Sequence, residues 1–139
     1  MLVRWHILIG IILALIFLPW LQTYSLLFLV AFVIIDIDHY FFYMARKKSY
    51  NLLSCYRFFR SLEKRKIQYK KYSLCIFHTA EFLFLLFLAA LFNQIIAVIF
   101  LGAFLHTLAD VLDVKIRKPS VVKTASLLCY LKLPKEAKL

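Results

Sequence analysis

The stretch VIIDIDHYFFYMARKK, residues 33–48, starts as lipid-soluble chain and ends as a basic patch. Between the two lie Asp36, Asp38 and His39. Ionisable groups inside an apolar run cost free energy unless they are paired, hydrogen-bonded or bound to a metal. Which of these applies depends on where the other acids and histidines lie.

Upstream is a first apolar run, WHILIGIILALIFLPWL, residues 5–21. Only Arg4 supplies a preceding charge and no small-x-small cleavage site follows, so it reads as a spanning helix and not as a signal peptide. Trp20 suits a membrane interface. The polar turn QTYS leads to a second run, residues 26–43, which carries the opening motif. Downstream, residues 45–73 hold ten of the eighteen Lys and Arg residues and no long apolar run. Within them Leu52, Leu53, Tyr56 and Phe59 recur at helical spacing beside Arg57 and Arg60, the pattern of an interfacial amphipathic helix. Two more apolar runs, residues 74–92 and 95–114, flank a turn at Asn93 and Gln94. The tail, residues 115–139, contains VVKTASLLCYLKL, which is too short to cross about 30 Å of hydrocarbon.

The expected fold is all-α. A single domain of 139 residues forms an integral membrane four-helix bundle, with a basic amphipathic loop and a short interfacial C-terminal helix. Composition agrees: 64% of the residues are hydrophobic, against about 45–50% in a soluble domain, so lipid must cover part of the surface. The net charge is +11, and the basic residues flank apolar runs. That arrangement fits anionic headgroups as partners and argues against nucleic acid. The positive-inside rule places the loop and the tail in the cytoplasm, making the chain a multi-pass protein of the cell membrane with both termini cytoplasmic. Cys55, Cys75 and Cys129 form no CxxC pair, which excludes a zinc ribbon or a disulfide framework. Cys75 reads as a small buried residue.

Five of the seven acids (Asp36, Asp38, Glu81, Asp110 and Asp113) lie within or at the end of an expected span, as do His39, His78 and His106. At the helical rise, Asp36 lies roughly 15 Å before Arg46, Glu81 roughly 15 Å after Lys71, and His106 roughly 14 Å before Lys115. The groups therefore fall in one slab, the cytoplasmic half of the membrane. Spans two to four contain no Lys or Arg to neutralise them, and a divalent metal ion would do so at short range. His78 and Glu81 are three residues apart, Asp36 and His39 likewise, and His106, Asp110 and Asp113 follow an i, i+4, i+7 stripe; each set shares a helix face. Asp38 breaks the pattern, because two residues turn a helix by about 200°. Either the helix loosens there, or Asp38 orients a ligand or faces headgroups. His6, beside Arg4 and Trp5, reads as interfacial, as does the aromatic run at residues 40–43.

Imidazole and carboxylate ligands suit Zn, Mn or Fe. Asp36, His39, His78, His106 and Asp110 are the candidate metal ligands, with Asp113 a possible addition. Glu81 and Asp38 are the candidate catalytic groups, Glu81 as general base. The number of donors accommodates one ion or two.

The motifs DIDH, FHTAEF and GAFLHTLADVLD resemble those of the YdjM-like inner-membrane metal-dependent hydrolases, over about residues 30–114. That family carries an LPDxD-type motif, a histidine motif of HRxxTHS type and a GxxxHxxxD-type motif. Asp36 and Asp38 match the first, His78 the second histidine of the middle one, and Gly102, His106 and Asp110 the third. Ile34 and Ile35 stand where Leu-Pro is usual, and Ser73 near where the other middle histidine would be. The resemblance implies a hydrolase. The depth of the site and the basic loop imply an amphiphilic, (phospho)lipid-like substrate with an anionic head. The competing reading is a carrier or binding protein for divalent metals or protons. It would need polar groups through the other half of the spans, which offer almost none.

Overall fold

The computed structural model describes residues 3–64, 71–117 and 121–138. Residues 65–70, in the middle of the basic loop, and 118–120 lie outside the described residues. Seven helices dominate: α1 (Val3–Leu21), α2 (Tyr24–Ile34), α3 (Ile37–Lys47), α4 (Leu52–Lys64), α5 (Ala80–Ala90), α6 (Gln94–Arg117) and α7 (Leu127–Lys132). Among the described residues the protein is all-α apart from one pair of three-residue strands, β1 (Lys71–Ser73) and β2 (Val121–Lys123), which run parallel, and a single bridge between Tyr72 and Lys138. Three helical segments are long and apolar enough to cross a membrane: Arg4–Leu21, Tyr24–Lys47 (α2 and α3 together) and Gln94–Ile116.

The expected span at residues 74–92 takes a different form. Its first third is not α-helical: β1 is followed by a single 3-10 turn, Ile76–His78. The helix begins only at Ala80, where the Thr79 hydroxyl accepts a hydrogen bond from the Phe82 N–H. Eleven residues of α5 span roughly 16 Å, about half of a hydrocarbon core. The non-helical backbone before it is paired with the C-terminal segment. Thr124 N–H donates to the Ser73 carbonyl at 3.1 Å, and Ala80 N–H to the Ala125 carbonyl at 2.8 Å. Such pairing is what allows irregular backbone to sit inside an apolar assembly.

α1, α2 and α6 form the packed bundle, and α5 lies against α6. Phe28, Phe32, Ala14 and Val98 make its core, with Leu13, Phe17 and Leu101 packed around them. On α1 the buried residues are His6, Gly10 and Ala14, spaced i, i+4, i+8, while Ile7, Leu8, Ile11, Ile12, Leu15 and Ile16 face outward. Gly102 sets the α2–α6 distance. A Cβ there would lie 2.9 Å from the Phe28 carbonyl oxygen and 3.0 Å from the Phe32 nitrogen, both backbone atoms. Small residues at such crossings let helices approach closely. One turn beyond Gly102 is His106, and the tight crossing brings it to the α2 backbone.

Candidate metal centre

The centre forms where α2 gives way to α3. Asp36 sits between the two helices, and its flanking hydrogen bonds span only three residues: Asp36 N–H to Val33 O at 3.4 Å and His39 N–H to Asp36 O at 3.0 Å. This break frees Asp36 and Asp38 from a common helix geometry. Asp36 turns toward α1 and α6. Asp38 reaches the 3-10 turn, where it accepts the Phe77 N–H at 3.2 Å and the His78 Nδ1–H at 2.9 Å. The helix loosens here, and Asp38 orients the His78 ring.

His78 and His106 meet head to head. The His106 Nδ1–H donates to the Phe32 carbonyl at 2.6 Å, as the His78 Nδ1–H does to Asp38. In the neutral rings these partners place the proton on Nδ1 of both residues and leave each Nε2 as an acceptor. The two Nε2 atoms are 3.1 Å apart. Asp36 Oδ1 lies 3.6 Å from His78 Nε2 and 3.3 Å from His106 Nε2. Asp110 Oδ2 lies 3.4 and 3.3 Å from the same two atoms. Four acceptor atoms thus converge. With metal–donor bonds of about 2.0–2.2 Å, donors 90–109° apart are separated by roughly 2.8–3.6 Å. These five spacings fall in that range, and His6, Asp36, His106 and Asp110 offer donor atoms within 4.8 Å of one another, so residues of this centre could hold a small divalent ion. The hydrogen bonds to both Nδ1 atoms are those that hold histidine ligands in register.

The remaining candidates take distinct positions. His39, whose side chain is 22% exposed, places Nε2 3.5 Å from Asp36 Oδ1. Its Nδ1 faces the buried Cys75 thiol at 3.5 Å, and Phe59 of α4 covers the ring edge-on at 4.8 Å between centroids. Asp36, His39 and His78 offer donor atoms close enough to share an ion, as do Asp38, Cys75 and His78. Asp113 is partly exposed and belongs to none of the donor groups found among the described residues.

Glu81 is brought elsewhere. Its carboxylate accepts the Ser126 hydroxyl at 2.5 Å, the Leu127 N–H at 3.0 Å and the Leu128 N–H at 3.4 Å, which caps the N-terminus of α7. The geometry gives it the work of fastening the C-terminal segment beside the His78 turn, and it belongs to none of the donor groups found among the described residues.

His6 joins the centre although its sequence neighbours mark it as interfacial. It is fully buried, stacks on His106 at 4.1 Å and 13°, and places Nε2 3.2 Å from Asp110 Oδ1 and 3.7 Å from Asp36 Oδ2. The signal that finds it is the spacing to Gly10 and Ala14, which puts it on the one packed face of α1. Cys75 is fully buried, as its reading as a small apolar residue expects, and its thiol also faces His39. No protein-family model, curated protein or solved structure matches the chain.

Proposed function

We propose that the chain is a membrane-embedded, metal-dependent hydrolase that acts on an amphiphilic, (phospho)lipid-like substrate at the cytoplasmic leaflet. The observation that carries the reading is the convergence of His78 Nε2, His106 Nε2, Asp36 Oδ1 and Asp110 Oδ2, with both Nδ1 protons already committed. Imidazole nitrogens and carboxylate oxygens gathered at these spacings suit a divalent cation between them. A divalent ion held there supplies Lewis acidity toward a phosphoryl or carbonyl oxygen and makes water acidic enough to react near neutral pH.

The chain's own residues do the rest. Asp38 holds His78 in the tautomer that presents Nε2, and the Phe32 carbonyl does the same for His106. His39 is the histidine of the centre with solvent exposure, so it is the group placed to accept a proton from attacking water and pass it outward. On this reading the substrate approaches from the α3–α4 side, where His39 retains some exposure. There Arg57 and Arg60 flank the exposed apolar residues Leu52, Leu53 and Tyr56. This face of α4 suits the headgroup layer, with its arginines toward the anionic head of a lipid. In this arrangement α5 completes the membrane domain as a half-length fourth member, and the paired backbone at residues 71–79 fills the cytoplasmic half of its path.

Release of phosphate or fatty acid from a panel of anionic and zwitterionic lipids, by protein reconstituted with Zn2+ or Mn2+, tests the reading. The expected result is turnover of an anionic lipid that chelation stops and metal restores. A metal-loaded protein that releases nothing from any panel lipid, yet moves metal across vesicles, would replace the hydrolase with a carrier.

A further inference from the structure

We infer that the centre holds two ions, and that His6 is a ligand of the second. This rests on the metal reading above and extends it. The two aspartates divide their oxygens. Asp36 turns Oδ1 toward His78 and His106 and Oδ2 toward His6, at 3.6, 3.3 and 3.7 Å. Asp110 turns Oδ2 toward His78 and His106 and Oδ1 toward His6, at 3.4, 3.3 and 3.2 Å. Each carboxylate therefore offers one oxygen to each of two positions. Carboxylates that bridge in this way are a feature of sites with two ions about 3.5–4 Å apart.

His6 is the independent observation. It is fully buried, its Nδ1 has no hydrogen-bond partner among the described residues, and its Nε2 faces carboxylate oxygens of Asp110 and Asp36. Its Nε2 approaches Asp110 Oδ1 to 3.2 Å without the alignment that a hydrogen bond requires. A protonated ring paired with the carboxylate would direct its N–H along that line. A neutral ring presenting its lone pair to an ion, shared with Asp36 Oδ2 and Asp110 Oδ1, has no need to. Stacking on His106 holds the ring in this pose, and the i, i+4 spacing to Gly10 puts it on the packed face.

The second ion has a consequence for the substrate. One divalent ion is neutralised by the two bridging carboxylates, which leaves no pull on an anionic head. Two ions leave the pair with excess positive charge, which an anionic phosphoryl group can satisfy. The centre thereby selects a phosphoester head over a neutral ester.

Detergent-purified full-length protein equilibrated with Mn2+ provides the test, read as bound metal per chain and by electron paramagnetic resonance. The expected wild-type result is about two Mn2+ per chain with the exchange-coupled spectrum of a bridged pair. His6→Ala, and His6→Gln with its similar volume, should each retain about one Mn2+ with the six-line spectrum of an isolated ion. A wild type that binds about one isolated ion overturns the second position and leaves the metal reading standing. Variants that still hold a coupled pair remove His6 from it. A wild type that binds none removes both proposals.

Discussion

The two ends of the α1–α2–α6 bundle are built from the same helices at the same crossing, yet they are held together in opposite ways. At one end Phe28, Phe32, Ala14 and Val98 fill the space with apolar atoms that ask nothing more of their neighbours. At the other, His6, His106 and Asp110 are buried, Asp36 is partly buried beside them, and their polar atoms face one another. The first end is held by apolar packing, whereas the second gathers donor atoms that could hold a cation. Phe32 joins them: its ring belongs to the core while its carbonyl fixes the tautomer of His106.

That contrast can be broken from either side. The largest effect on stability is expected from Phe28→Ala, which empties a fully buried position. Loss of about 3–5 kcal/mol, by analogy with core truncations elsewhere, should appear as a lower unfolding midpoint in detergent, with metal content unchanged. Asp38→Asn should do the reverse. It weakens the acceptor behind His78 and should lower metal affinity about 10–100-fold in a competition titration against a chromogenic chelator, with little change in the stability of the metal-free protein. Gly102→Ala strikes both ends, because its Cβ meets the α2 backbone. An overpacking cost of about 1–3 kcal/mol and weaker metal binding should occur together. Gly10→Ala meets only the side chains of Phe32 and Leu29, at 3.0 and 3.1 Å, so the same thermal melts should show it as the milder of the two.

The sequence alone makes the apolar end and most of the polar end readable, for definite reasons. Long apolar runs report spans 1, 2 and 4 because hydropathy and length suffice. The run at 74–92 misleads for the same reason: hydropathy does not distinguish a helix from a strand and a 3-10 turn. The pairing of Ser73 and Ala80 with residues 124 and 125 is invisible in a linear reading. Asp38 is informative through its misfit, since a two-residue spacing incompatible with one helix face marks the break at Asp36. Glu81 shares a helical offset with His78, but that offset has no meaning once His78 lies outside the helix. His6 is hidden by its neighbours Arg4 and Trp5, and only the packed stripe of α1 reveals it.

The central claim is that the donor atoms of the α2–α3 junction, α6 and the His78 turn grip a divalent ion. Its most direct test is elemental analysis of detergent-purified protein after gel filtration, comparing the wild type with His106→Ala and using Phe28→Ala as the control for weakened packing. The account predicts metal retained by the wild type and by Phe28→Ala, and lost from His106→Ala. Equal metal content in the wild type and His106→Ala, or none in any of the three, would contradict it.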